Sequence, residues 1–335
     1  MFIFFRRWAA GANLIDTHPD PATTAAPYVR VRLVVKLLTF AALMLGALIA
    51  LVPIALLVFS PLLPEAVAAI LFNGILAAAT LAAAWFCLRV FDGSSLRAIG
   101  IGLDRPWWRH LWVGASAGML MVGVCWGVFV LFGWALWQVN GDFVGAAPAL
   151  LAGWGFCLTV AGVEELLCRG YPFQLLARWK LPVGVILSGL FFASLHLTNA
   201  GAMAAGPIVN LMTVHVLFVM LYLRTRSLWP PIGLHAGWNF AVGYLFGMPV
   251  SGEPAGSPLV RTQVAPNLWT GYEFGPEGGL VVTVVLVVAI AVSWAGVRQC
   301  RPAPDFLAGL SAADSPSAAP PEPGQRAWIA SPPSP

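Results

Sequence analysis

The sequence predicts an all-α, polytopic integral membrane protein of about eight transmembrane helices. Three observations carry that reading. Of 335 residues, 59% are hydrophobic and only 10% charged, whereas globular domains carry roughly a quarter charged residues. Apolar windows of about 17–25 residues, enough to cross roughly 30 Å of hydrocarbon as helices, recur along the chain. The basic residues gather at every second connection between those windows. Lipid offers no partner to backbone N–H and C=O, so a span must be a helix or part of a closed barrel. Continuous runs such as LMLGALIALVPIALLVF lack the alternation a barrel strand needs.

The windows fall near 33–58, 66–90, 109–137, 147–171, 183–198, 205–223, 228–247 and 279–298. The fifth is short for a span and reads as tilted or partly re-entrant. Arg6, Arg7, Arg30, Arg32 and Lys36 precede or open the first window. Arg89, Arg97, Arg105 and Arg109 lie between the second and third, Arg178 and Lys180 between the fourth and fifth, and Arg224 and Arg226 between the sixth and seventh. Arg298, Arg301 and Arg326 follow the eighth, while the alternate connections, around Glu65, Asp142, Asn199 and Glu253, contain a single basic residue, Arg261. By the positive-inside rule both termini are expected in the cytoplasm. The chain then divides into a cytoplasmic segment 1–32, a membrane domain 33–298 and a disordered tail 299–335 rich in Pro, Ala and Ser. MFIFFRRWAA does not read as a signal peptide, and the tail carries no Cys-a-a-X box. The net charge of +4 follows from the loop bias and implies no nucleic-acid partner; the partner implied is the bilayer. Five cysteines, odd in number and in or beside spans, give neither a disulfide framework nor a CxxC site.

Within the fourth window the sequence reads VAGVEELLCRGY, residues 160–171. A charge near the bilayer centre costs roughly 2.5–3.5 kcal/mol on insertion scales. One polar residue could serve helix–helix contact, but Glu164 and Glu165 together exceed what a fold needs. Successive helical residues lie about 100° apart, so the two glutamates face different ways. Glu165 and Arg169, four apart with the acid first, suit a same-face ion pair that neutralises the arginine. Glu164 is left without a local partner. If the fourth and fifth windows form a hairpin turning near Lys180, with Pro172 a source of kinking, Glu164 and His196 lie sixteen residues either side of the turn and at similar depth. The seventh window, LWPPIGLHAGWNF, brings His235 and Asn239 onto one helical face. Each alone would be ordinary packing, but jointly a carboxylate, two imidazoles and an amide form a hydrolytic set. A buried carboxylate can take a proton from water, and a His/Asn pair can donate to an oxyanion. Asn210 and His215 read as packing contacts. Cys168 reads as a small filler, because a thiolate needs an electropositive setting.

These residues resemble the CAAX protease and bacteriocin-processing (CPBP, or Abi) family of intramembrane endopeptidases, which includes the type 2 CAAX prenyl proteases. Three elements match in order: EExxxR-G at Glu164, Glu165, Arg169 and Gly170; FxxxH at Phe192 and His196; HxxxN at His235 and Asn239. The strong similarity covers residues 160–247, with a looser echo in DGSSLRAIGIGLDR, and Cys168 stands where the family commonly has an aromatic residue. The resemblance implies an eight-span helical fold with its site between the fourth, fifth and seventh helices. It implies a water positioned by Glu164 and His196, an oxyanion held by His235 and Asn239, and support from Glu165, Arg169 and Phe192. It further implies peptide-bond hydrolysis of a membrane-associated protein or peptide without a required cofactor. Zinc held by Glu164, His196 and His235 is the alternative. With two lysines among 18 basic residues, the chain reads as the product of a GC-rich bacterial genome, placed in the inner membrane, where family substrates are leader-type peptides. The competing readings are a non-catalytic immunity or scaffold protein on the same fold and a proton-coupled transporter. Against the transporter stands the missing internal repeat.

Overall fold

A computed structural model describes residues 27–103, 106–254 and 256–297. Most of the expected cytoplasmic segment 1–32 and the whole tail 299–335 lie outside the described residues. Helix α1 (Pro27–Ile54) continues through a π-helical turn at Ala55–Phe59 and a last helical turn at Ser60–Leu62. It is followed by α2 (Glu65–Phe91), α3 (Trp107–Leu131), strand β1 (Ala135–Val139), α4 (Ala146–Arg169), α5 (Tyr171–Trp179), α6 (Leu181–Ser194), α7 (Ala205–Thr225), α8 (Trp229–Phe240), strand β2 (Val260–Val264) and α9 (Leu280–Val297).

Among the described residues five helical stretches are long and apolar enough to cross a membrane: Val31–Leu62, Glu65–Phe91, Trp107–Leu131, Ala146–Trp179 and Ala205–Thr225. Leu181–Ser194 and Leu280–Trp294 are shorter apolar helices. The twelve residues of α8 extend roughly 18 Å, too short to cross alone, and a π-helical turn at Ala241–Leu245 prolongs them.

Three boundaries differ from the sequence reading. The third helix stops at Leu131, short of the expected 137, because Gly133 takes φ 69° and closes a Schellman motif. Trp134 N–H donates to the Phe129 carbonyl (2.8 Å) and Gly133 N–H to that of Val130 (3.1 Å). The apolar residues that follow form β1, antiparallel to β2 in the register Ala135↔Val264 to Val139↔Val260, so the chain carries a small ribbon that the sequence reading does not anticipate. The fourth helix breaks at Gly170, where a Cβ would fall on the Leu166 carbonyl oxygen. The chain restarts as α5 with Pro172 in its first turn. Helix α6, which occupies the fifth window, ends at Ser194, leaving His196 on the turn beyond it, where its N–H bonds the Ala193 carbonyl at 3.1 Å.

Helix α8 is buried almost throughout, and its seat against α3 is made by glycines on both sides. Gly114 and Gly118 of α3 face the backbone of Pro230 and Leu234, while Gly233 and Gly237 of α8 face that of Leu111 and Ala115. Such small-xxx-small faces let two helices approach until backbone meets backbone. At the C-terminal end of α2, Asp92 bonds Lys36 Nζ (2.6 Å) and accepts from Tyr171 Oη (2.9 Å), with Arg178 at 4.0 Å, tying α1, α2 and α5 together. Separately, three basic-poor connections meet one another. The ribbon joins the 132–145 connection to residues 260–264. Asn199 Nδ2 donates to the Ser251 carbonyl (2.8 Å), and Gly252 N–H to that of Phe274 (2.9 Å).

Candidate active site

The site is built outward from Arg169. Its Nη1 donates to Glu165 Oε1 at 3.0 Å, and both side chains are wholly buried. The guanidinium lies over the rings of Phe192 of α6 (4.4 Å to the centroid) and Phe218 of α7 (4.9 Å). The arginine is therefore neutralised by its helical neighbour and held by cation–π contact from two other helices. The spacing of Glu165 and Arg169 predicts the pair, and it is formed.

Glu165 Oε1 has a second partner, His235 Nδ1 of α8, at 3.0 Å. An ionised carboxylate only accepts, so Nδ1 carries the proton and Nε2 is turned to the opposite side of the ring. There Nε2 lies 3.8 Å from Glu164 Oε2, a buried atom that accepts no hydrogen bond. Glu164, which the sequence leaves without a local partner, thus meets a residue from a distant helix. Glu165, which the sequence assigns to Arg169 alone, also orients an imidazole. His235 stacks on Phe218 (5.4 Å) and meets the edge of Phe192 (6.0 Å).

His196 donates from Nδ1 to the Phe192 carbonyl (3.0 Å), which leaves its Nε2 as an acceptor, and its ring packs at 5.1 Å on Phe192. His196, His235 and Asn239 line one pocket, with an apolar wall from residues such as Phe192, Leu211, Phe218 and Val282. Glu164 is not among the lining residues; its Oε2 lies 3.8 Å from Nε2 of His235, which is. The remaining polar residues behave as packing. His215 Nε2 contacts the Val185 carbonyl (3.0 Å) and Ser188 Oγ (3.3 Å). Asn210 donates to the carbonyls of Glu277 and Gly279 and accepts from Thr283. Cys168 is fully buried.

One wall residue escapes the sequence reading. Glu277, in the short 3-10 turn Pro276–Gly278 before α9, accepts from Trp238 Nε1 (2.8 Å), from Ser251 Oγ (2.7 Å) and from the Ser251 backbone N–H. Its partners are 39 and 26 residues away, so no local spacing announces it. As a base it is the poorer of the two acids: both of its oxygens already accept hydrogen bonds, whereas Glu164 Oε2 has no donor. For zinc, the donors do not converge. Among the described residues no three His, Cys, Asp or Glu side chains form a group able to hold a metal ion. No step is therefore routed through a metal.

Residues 145–241 match the family model of Rce1-like type II CAAX prenyl endopeptidases. Neither a curated protein nor a solved structure matches the chain. The matched segment holds Glu164, Glu165, Arg169, Phe192, His196, His235 and Asn239, and excludes Glu277. Over residues 145–241, which hold the whole candidate site except Glu277, the chain is thus similar to the type II CAAX prenyl endopeptidases.

Proposed function

We propose that the protein is an intramembrane endopeptidase that hydrolyses a peptide bond of a membrane-associated protein or peptide, with Glu164 as general base. The observation that carries this reading is the relay Glu164···His235···Glu165···Arg169, opening on a pocket that also holds His196 and Asn239. A water held by Glu164 and by the free Nε2 of His196 attacks the carbonyl carbon, and its proton passes to the Glu164 carboxylate. The oxyanion is held by Asn239 Nδ2–H and by His235 Nε2–H. For His235 to donate there its ring must carry both protons, and the carboxylates of Glu165 and Glu164 on its two sides balance that charge. Collapse of the intermediate breaks the C–N bond, and the proton on Glu164 passes to the leaving amine. Zinc at Glu164, His196 and His235 is the reading this one replaces, on the ground that those donors do not converge.

The same proposal includes eight spans, with α6, α8 and α9 completing the five longer stretches. It places both termini in the cytoplasm of a bacterial inner membrane and takes a peptide without a prenyl group as substrate. Cleavage of matched fluorogenic peptides, one prenylated and one not, by the purified protein in lipid nanodiscs tests the reading. Turnover of the unprenylated peptide that disappears in Glu164→Gln is the expected result. Turnover surviving that substitution would remove Glu164 from the role of base, and a protein that binds peptide without cleaving it would favour the scaffold reading.

A further inference from the structure

We infer that Glu277 is a binding subsite for a cationic group of the substrate, an ammonium or guanidinium, within the same pocket. The inference rests on the proteolytic reading only for the word substrate; the binding chemistry stands by itself. Glu277 lines the pocket with His196, His235 and Asn239 and is the only acid among its lining residues, which include no lysine or arginine. Among the described residues it takes part in no ion pair. All three of its donors, Trp238 Nε1, Ser251 Oγ and Ser251 N–H, are neutral. A carboxylate offers about four lone-pair sites, so one remains open.

A carboxylate beside an apolar wall is costly to keep there, and a strut between α8 and the Ser251 loop would not need the charge. A glutamine amide could accept from Trp238 and serve as well. What the charge adds is attraction for a cation. The three hydrogen bonds fix the carboxylate before any ligand arrives, which lowers the cost of binding. Asn239 lines the same pocket as Glu277, so the cation would sit in the cavity that holds the group proposed to bind the oxyanion. The apolar wall accommodates the side chains flanking that charge.

The test is binding to the Glu164→Gln protein in detergent, followed by fluorescence anisotropy with labelled apolar peptides. The peptides differ at one position, Lys, Arg or Leu, each with a free or acetylated N-terminus. At least one cationic form should bind about tenfold or more tightly than the acetylated Leu peptide. The free-amine and side-chain arms tell which source supplies the cation. Adding Glu277→Gln should bring that ratio close to one while the melting temperature stays within a few degrees. Should that variant fail to fold, Glu277→Asp, which keeps the charge, should retain a preference for the cation that high salt weakens. Equal binding of all peptides, or a Glu277→Gln protein that weakens every peptide alike, would overturn the inference and leave a strut. Cleavage by the wild type without charge preference would sink the subsite and spare the protease. Charge-selective binding without cleavage would do the reverse.

Discussion

At the residue scale the two adjacent glutamates separate by what each touches. Glu164 has an uncommitted buried oxygen facing His235, so Glu164→Gln should preserve folding and lower turnover by about 10²–10⁴-fold, with little change in peptide binding. Glu165 anchors both Arg169 and His235. Glu165→Gln should strand a buried guanidinium at a cost of roughly 3–5 kcal/mol, seen as a lower melting temperature, and Arg169→Met in the same chain should restore part of the loss. Because His235 Nδ1 loses its charged acceptor, the restored double variant should still turn over slowly. A Glu165→Gln protein with wild-type stability and rate would show that the buried pair carries neither function.

At the element scale the pair His235/Asn239, proposed to hold the oxyanion, depends on where α8 sits, and α8 sits where glycine backbones allow. A methyl at Gly233 would meet the Leu111 carbonyl, whereas one at Gly127, also on α3, meets nothing. Gly233→Ala should cost about 1–3 kcal/mol through overpacking and lower turnover as the helix moves off α3. Gly127→Ala should leave turnover alone and, by helix propensity, stabilise by about 0.5–1 kcal/mol. Thermal melts beside peptide cleavage give the answer; equal effects at the two positions would mean that the glycine faces do not set the approach of α3 and α8.

At the scale of the whole molecule, the basic-poor connections meet at one end through the ribbon and the Asn199–Ser251 bond, while Lys36 and Arg178 meet at Asp92. That segregation is what a positive-inside arrangement requires of the tertiary structure. In a chain stripped of its cysteines, Arg261→Cys should label from outside the cell; labelling only from the cytoplasm would invert the proposed topology. Proteolysis should also survive chelation. Activity lost to a chelator and restored by zinc alone would require Glu164, His196 and His235 to regroup as ligands.

The sequence by itself determined a helical membrane protein, the Glu165–Arg169 pair and the residues of the three motifs. Hydropathy reports transfer into lipid, and a four-residue spacing reports one helical face; both are local quantities. Tertiary structure decided the rest. The run through Gly133 into Ala135–Val139 is apolar, so hydropathy extends a helix across it, yet a left-handed glycine and a partner strand more than a hundred residues away make it a ribbon. His235 was legible as a candidate, but its two carboxylate neighbours were not, because they come from another helix 70 residues earlier. Glu277 carries no signal in the sequence, because its partners Trp238 and Ser251 lie 39 and 26 residues away. Contacts of that kind carry no period in the sequence, and only the closing of the chain around the buried α8 creates them.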